Sequence, residues 1–164
     1  VEAGLVGAAV LGVDAQRKMA AGAATNLAHY LAPERTPDSL PDPGSGHTMR
    51  GDATALPLPD DAVDGVVFDA PYGRQSWASD ELSAVVGDAL AEARRVARRA
   101  VVVGDRAWTG AAEAAGWTVV DRFDRRVHRS LTRYILVLQA DDAGPGTEPG
   151  DAGGPDDRRA ANDR

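Results

Sequence analysis

Residues 65–74 of the chain are GVVFDAPYGR, and this stretch decides how the rest of the sequence is interpreted. The apolar run from Gly65 to Phe68 predicts a short buried strand. The strand ends directly in Asp69, followed by Pro71 and Tyr72. Ligands of parallel α/β sheets bind beyond the carboxyl ends of the strands. We therefore predict a strand whose tip presents a carboxylate, a proline and an aromatic ring to a ligand.

Outward from this stretch, apolar runs alternate with amphipathic segments, which is typical of a mostly parallel α/β sheet. Further strands are predicted at 8–13, 47–50 and 100–104. Helices are predicted at 15–31, 79–98 and 110–115, with the last turn of another at 1–7. The predicted buried face of the first long helix comprises Met19, Ala20, Ala23, Ala24, Leu27, Ala28 and Leu31. Residues 117–126 and 130–139 alternate in polarity, and this pattern predicts a C-terminal antiparallel hairpin.

The composition limits the class of protein. A chain of 164 residues is long enough for one domain with a core. It contains no cysteine, which excludes disulfides and Cys-ligated zinc, and its three histidines are scattered, so no metal site is predicted. No signal peptide or long apolar run is present, which favours a soluble cytoplasmic protein without a membrane partner. The net charge of −7 argues against broad, nonspecific nucleic-acid binding.

We expect two regions along the chain. Residues 1–140 carry all the predicted strands and helices and form the catalytic domain. Residues 141–164 are rich in Gly, Pro and acidic residues, cannot build a core and are predicted to be disordered.

Two more carboxylates follow predicted strands. Asp14 stands between a strand and a helix, where it can accept hydrogen bonds from both hydroxyls of a ribose or serve as a helix N-cap. Asp52, in Gly51-Asp52-Ala53, can accept a hydrogen bond from an adenine amino group or act as a turn residue. Because the carboxyl ends of parallel strands share one edge, Asp14, Asp52 and Asp69 are expected to face the same site.

The motif Asp69-Ala70-Pro71-Tyr72 suits methyl transfer to an exocyclic amine of a base. Such an amine is a poor nucleophile, because its lone pair is delocalised into the ring. A carboxylate and a backbone carbonyl that accept its two hydrogens turn the lone pair toward the methyl group, while the aromatic ring stacks on the base. The alternative is a tight turn, in which Asp, Pro and Gly are common.

Arginines cluster around the predicted C-terminal hairpin, at positions 122, 125, 126, 129 and 133. They could contact phosphates or simply form a solvated surface. Trp77 and Trp108 are interpreted as core or rim residues, and Trp77 is close enough to Tyr72 in sequence to border a pocket.

Three blocks of the sequence resemble a known family. They are EAGLVGAAVLGVDAQRKMAAGAATNLAHY, GDATALPLPDDAVDGVVFDAPYGRQS and LAEARRVARRAVVVGD. The chain resembles class I, S-adenosylmethionine-dependent N-methyltransferases with an Asp-Pro-Pro-Tyr motif, and within them the archaeal tRNA (guanine(10)-N2)-methyltransferases. The resemblance extends from Glu2 to about Gln139 and implies a Rossmann-like sheet.

By this resemblance, Asp14 binds the ribose of S-adenosylmethionine, Asp52 and Ala53 bind its adenine, and tRNA is the substrate. Asp69, Ala70, Pro71 and Tyr72 form the catalytic motif, with Asp69 also bordering the cofactor. Ala70 replaces the family's first proline but keeps its carbonyl, so we expect a looser motif.

The family's first strand, its glycine-rich turn and its RNA-binding THUMP region have no counterpart in this sequence. The chain is therefore expected to be the C-terminal part of a longer methyltransferase, poorly stable alone, with a partner chain possible for the missing strand. Two other functions stay open: an inactive fragment or non-catalytic half of a split enzyme, and a small-molecule methyltransferase or other nucleotide-binding protein.

Overall fold

The computed structural model describes residues 1–35, 41–71 and 79–140. Three sequence predictions therefore lie outside the described residues: the role of Tyr72, the position of Trp77 and the disorder of residues 141–164. Within the described part, the predicted alternation of strands and helices is confirmed. The elements are α1 (Glu2–Leu5), β1 (Val10–Asp14), α2 (Arg17–Tyr30), a short 3₁₀ turn (Pro33–Arg35), β2 (Gly46–Arg50), β3 (Val66–Asp69), α3 (Ser79–Val96), β4 (Arg99–Gly104), α4 (Thr109–Ala114), β5 (Trp117–His128) and β6 (Leu131–Ala140).

The strands form two sheets. Strands β1 and β2 are a parallel pair, and the second sheet has the order β3-β4-β6-β5. In that sheet β3 is parallel to β4, whereas β6 is antiparallel to both of its neighbours. The prediction of a mostly parallel α/β fold with a C-terminal antiparallel hairpin is confirmed. Among the described residues, neither β1 nor β3 has a second strand partner.

One face of the four-stranded sheet carries the hydrophobic core. Leu82 and Leu90 of α3 pack with Val102, Leu136 and other fully buried side chains of the sheet. The buried indole of Trp117 donates a hydrogen bond from Nε1 to the carbonyl oxygen of Leu90, at 2.9 Å. Trp108 also belongs to this cluster, so of the two predicted alternatives, core or rim, it is a core residue. The amphipathic pattern of α3 thus predicts its buried face correctly, because that helix packs along its whole length on a sheet.

The prediction that β3 is buried is wrong for half of its residues. Val66 and Phe68 pack against the core, but Val67 on the opposite face is 75% exposed. Strand β1 is likewise only partly buried, with Leu11 exposed. For β3 the reason is that α3 and α4 cover one face of the larger sheet, and in the part of the chain that the structure describes no helix covers the other.

The predicted buried face of α2 is also too wide. Ala20, Leu27 and the following Leu31 are buried, but Met19 is 54% exposed, and Ala24 and Ala28 are exposed as well. This helix packs on a sheet of only two strands, so the stripe of contact is narrower than its apolar pattern suggests. No helix among the described residues is both long enough and apolar enough to cross a lipid bilayer.

A candidate active site at the carboxyl ends of the strands

Asp69 is the last residue of β3 and lies opposite Val103 of β4. Because Val66 and Phe68 face the core, the alternation of the strand directs Asp69 to the same uncovered face as Val67. Its side chain is 47% exposed, and its Oδ2 lies 3.7 Å from Nη2 of Arg133. A half-exposed carboxylate with a guanidinium beside it can receive a polar group of a ligand from the solvent side. The sequence pattern alone does not predict this contact of Asp69 with Arg133.

Ala70 differs from Asp69 in being almost fully buried, at 1% exposure. Its backbone N–H donates a hydrogen bond of 2.7 Å to the carbonyl oxygen of Val103, which extends the β3–β4 ladder by one residue. A proline at this position has no N–H to donate. The alanine therefore anchors the start of the motif to β4. Pro71 follows on the surface, and Tyr72 lies outside the described residues.

Asp14 ends β1 and organises the turn that leads into α2. Its Oδ1 accepts a hydrogen bond of 2.7 Å from the backbone N–H of Gln16, the residue that caps the helix. Its carbonyl oxygen accepts a hydrogen bond of 3.2 Å from the N–H of Gly51. The second contact ties the end of β1 to the segment that follows β2, so Asp14 and Asp52 are held at one edge of the smaller sheet.

Asp52 forms a side-chain turn with Thr54. Its Oδ1 accepts hydrogen bonds from the backbone N–H of Thr54 at 2.9 Å and from the Thr54 hydroxyl at 2.8 Å. The backbone N–H contributes most and the hydroxyl next to lowering the pKa of Asp52 below its ordinary value. Asp52 therefore has a structural role in this turn, and Ala53 is exposed at its apex. Nothing among the described residues donates a hydrogen bond to Oδ2 of Asp52.

The connector of residues 51–64 is held against α3 by two charged side chains. Glu92 Oε1 accepts a hydrogen bond from the N–H of Leu56 at 2.7 Å, and Arg95 Nη2 donates one to the Leu56 carbonyl oxygen at 3.1 Å. Arg95 also contacts Asp60, with 2.7 Å between Nη1 and Oδ1.

Glu92 and Arg95 each stabilise the charged form of the other. Hydrogen bonding from Arg95 lowers the pKa of Glu92, and hydrogen bonding to Glu92 and then Asp60 raises the pKa of Arg95. The pair fixes the path of the segment that begins with Asp52. The sequence signal that could have found it is the spacing of Glu92 and Arg95 on one side of α3.

The predicted site residues thus occur in two groups. Asp14, Asp52 and Ala53 lie together beyond the smaller sheet, whereas Asp69, Ala70 and Pro71 lie at the end of β3 in the larger one. A shallow apolar depression of about 400 Å³ on the uncovered sheet face, lined by residues such as Val67, Val101 and Val137, is near the start of β3 and β4 and not at Asp69. No cluster of three or more His, Asp or Glu side chains suited to a metal ion occurs within residues 1–35, 41–71 and 79–140.

The chain is similar to known methyltransferases. The chain is 28% identical over 145 residues to the tRNA (guanine(10)-N2)-dimethyltransferase of Pyrococcus abyssi, covering 85% of this chain and 41% of that protein. It is 30% identical over 154 residues to the enzyme of the same name from Methanothermobacter thermautotrophicus, covering 85% and 39%. The chain therefore spans about two fifths of the length of these curated relatives.

Among solved structures, a SAM-dependent methyltransferase from Methanosarcina mazei superposes with a TM-score of 0.63 at 13% identity, covering 85% of both chains. This likeness confirms the class I methyltransferase fold. The sequence also matches the family profile described as "UPF0020: RMKL-like, methyltransferase domain" over residues 2–135. The chain therefore belongs to the family of RMKL-like methyltransferase domains.

Proposed function

We propose that this chain carries the catalytic part of an S-adenosylmethionine-dependent methyltransferase that modifies N2 of a guanine in tRNA in the cytoplasm. The observation that carries the proposal is the half-exposed Asp69 at the tip of β3, directly before Ala70-Pro71, in a chain of this methyltransferase family. Sequence similarity to two tRNA (guanine(10)-N2)-dimethyltransferases supports the choice of tRNA and of guanine N2.

The cofactor would be held at the smaller sheet. In each of Asp14 and Asp52, Oδ1 is engaged by the local turn, while no described residue donates a hydrogen bond to Oδ2. Two such carboxylates fit the donors of a nucleoside, with Asp14 accepting from ribose hydroxyls and Asp52 from the adenine amino group, beside the backbone of Ala53. When bound, S-adenosylmethionine supplies an electrophilic methyl group on a sulfonium.

The acceptor base would be held at the larger sheet. The Asp69 carboxylate and the carbonyl oxygen of Ala70 or Pro71 accept the two hydrogens of the exocyclic amine. This orients the nitrogen lone pair, and orientation in a fixed geometry is a large part of the rate enhancement. Tyr72 is proposed to stack on the base. The methyl group of Ala70 is buried, and its backbone N–H donates a hydrogen bond to Val103. Both contacts keep the motif in register with β4.

The experiment that tests this function separates cofactor binding from transfer. Calorimetric titration with S-adenosylmethionine and transfer of a tritiated methyl group to an unmodified tRNA transcript are measured on the chain and two variants. Asp69→Asn is expected to lower the transfer rate by about 100-fold or more while cofactor affinity changes little. Asp14→Asn is expected to weaken cofactor binding about tenfold, because a charged hydrogen-bond acceptor is lost.

The competing interpretation, a non-catalytic half of a split methyltransferase, leads to another result. A folded chain that binds no cofactor would contradict the proposed function. Transfer that survives in Asp69→Asn at the rate of the unmodified chain would remove Asp69 from the mechanism, whatever the cofactor affinity.

We further infer that the outer edges of β1 and β3 are open in the described part of this chain and would accept a further strand from a partner chain. The inference is supported by their unpaired outer edges, since strand edges carry backbone groups that favour pairing. Hydrogen exchange tests it: amides of Val10–Asp14 should exchange at least about tenfold faster than those of β6. Equal protection of the two strands would contradict an open edge.

A further inference from the structure

The β5–β6 hairpin extends beyond the end of β4 at the edge of the sheet where Asp69 lies. Strand β4 pairs with β6 only as far as Gly104 opposite Tyr134, whereas β5 and β6 continue to His128 opposite Leu131. Asp69 is opposite Val103, the residue before Gly104. Residues 121–133, here called the arginine hairpin, therefore lie at the same edge as the carboxylate of the candidate site, and residues 125–133 project beyond the end of β4.

The arginine hairpin is positively charged in a chain that is acidic. It contains two aspartates and five arginines, at positions 122, 125, 126, 129 and 133, whereas the whole chain has a net charge of −7. Every residue from 121 to 130 is exposed. Within the described parts of the chain, Arg125, Arg126 and Arg129 form no ion pair. The cationic groups are therefore concentrated on one hairpin, and those of Arg125, Arg126 and Arg129 are available to an anionic partner.

Two of the arginines oppose each other on the face that carries Asp69. Arg125 is directly opposite Arg133 in the ladder, and Arg133 reaches to 3.7 Å from Asp69. Like charges opposed across two strands are destabilising unless a counter-charge lies between them. Asp69 supplies a counter-charge to Arg133, whereas Arg125 has no ion pair among the described residues. An anion held by both guanidiniums would compensate the pair, and phosphate is the anion that their planar fork suits.

An exposed aromatic ring lies on the same face. Phe123 is opposite Ile135 and two residues before Arg125, and it is 51% exposed. Register places Asp69, Val103, Ile135 and Phe123 in one row across the sheet. Three strand spacings separate the ends of this row, a distance of about 14 Å. Exposed aromatic rings beside cationic groups are the combination that binds single-stranded nucleic acid, because bases stack on the ring.

We propose that the face of the arginine hairpin formed by Phe123, Arg125 and Arg133 binds the RNA strand next to the base held at Asp69. Arg125 and Arg133 contact phosphates, and Phe123 stacks on a neighbouring base. The inference rests on the proposed function, since it uses the RNA substrate and the position of the acceptor base. It adds a second binding surface to the site, on an element outside the Asp69-Ala70-Pro71-Tyr72 motif.

The first test compares two arginines of the same hairpin that lie on opposite faces. Arg125 is on the proposed RNA face, and Arg126 is on the other. Arg125→Gln and Arg126→Gln change the net charge equally, so a difference between them reports the face and not the charge. Binding of a fluorescein-labelled, unmodified tRNA transcript is measured by anisotropy over a series of salt concentrations. Thermal melting of each variant shows that it is folded.

Arg125→Gln is expected to weaken RNA binding about tenfold, the effect of losing a charged hydrogen bond. It should also reduce the slope of log affinity against log salt by about 0.7 to 0.9, the value of one phosphate contact. Arg126→Gln is expected to change the affinity less than about twofold, within the range of a rim charge. Equal loss in the two variants, or no loss in Arg125→Gln, would overturn the proposal.

Substitution of Phe123 tests base stacking separately from charge. Phe123→Ala is expected to lower RNA affinity about fivefold or more by loss of stacking, with an unchanged salt slope. Phe123→Tyr keeps an aromatic ring and should retain the affinity. Unchanged RNA binding by Phe123→Ala would overturn its place in the surface.

The proposed function and this inference fail in different measurements. Cofactor titration and methyl transfer report the proposed function, and anisotropy with the hairpin variants reports the RNA surface. A chain that binds cofactor and transfers methyl groups to tRNA, but whose RNA affinity is the same in Arg125→Gln and Arg126→Gln, overturns the hairpin inference alone. A chain without cofactor binding or transfer fails the proposed function, even where Arg125→Gln separates from Arg126→Gln.

Discussion

The two sheets of this chain differ in how well they are packed. The unit of β1, α2 and β2 buries only a few apolar side chains, Ala20, Leu27 and Leu31 among them. The four-stranded sheet with α3 and α4 has one continuous cluster that includes Leu90, Leu136 and many others. Yet the proposed cofactor carboxylates belong to the first unit and Asp69 to the second. Stability and cofactor binding are thus assigned to different parts of the molecule, and a ligand bound to both would stabilise the weaker one by mass action.

The largest expected effect comes from truncating a leucine in each unit. Leu90→Ala in the main core is expected to cost about 3–5 kcal/mol, because its side chain is fully buried on all sides. Leu27→Ala, in the thinner unit, is expected to cost no more than about 2 kcal/mol, since the site can relax into solvent. Urea denaturation of both variants checks this. Equal losses would mean that the two units are packed as one core.

A proline in the motif is expected to have the next largest effect. Ala70→Pro restores the family's motif but removes the hydrogen bond from Ala70 N–H to the Val103 carbonyl oxygen. The expected cost is about 1–3 kcal/mol, the penalty for a buried acceptor left without its donor. Ala70→Gly is the matched control, since it retains the N–H and removes only the methyl group. A proline variant as stable as the unmodified chain would show that the hydrogen bond contributes nothing.

The smallest expected effect concerns the connector that carries Asp52. Glu92→Gln removes the carboxylate that binds both Leu56 and Arg95. The urea midpoint should therefore fall by less than in the leucine variants or in Ala70→Pro. Because the pKa of Glu92 is lowered in the folded chain, its contribution is complete above the ordinary glutamate pKa of about 4.3. It is lost as the pH falls through the lower folded value.

The measurement is the urea midpoint of both proteins from neutral to acidic pH. The difference between the unmodified chain and Glu92→Gln should be constant near neutrality and vanish in acid. A difference that grows on acidification would contradict the assigned role of Glu92.

The order of strands and helices follows from the sequence, but the burial of individual side chains does not. Every predicted strand and helix of the described part is present, because period and turn signals are local properties. The exposure of Met19 and Val67 was mispredicted, since an apolar residue shows which face it favours and not whether anything covers that face. Sequence periodicity has no information about a neighbouring layer.

The site was predictable to a similar extent. Asp14 and Asp69 stand at strand ends as expected, because both follow apolar runs directly. The contact of Arg133 with Asp69 was not foreseen, since it depends on the register of β6 against β4 and on a side chain that spans a strand. The hydrogen bond from Ala70 to Val103 was also not predictable from the sequence. Alanine in place of the family's proline shows that a backbone N–H is present, but not which acceptor it contacts.

The contrast between an acidic chain and its basic hairpin would also affect how the proposed RNA substrate arrives. The chain as a whole has a net charge of −7 and repels a polyanion, whereas residues 121–133 carry more arginines than aspartates and attract it. Such a field raises the association rate and selects the direction of approach before any contact forms. Encounters productive for the edge that holds Asp69 would then be a larger share of all collisions, and rising ionic strength would reduce that share.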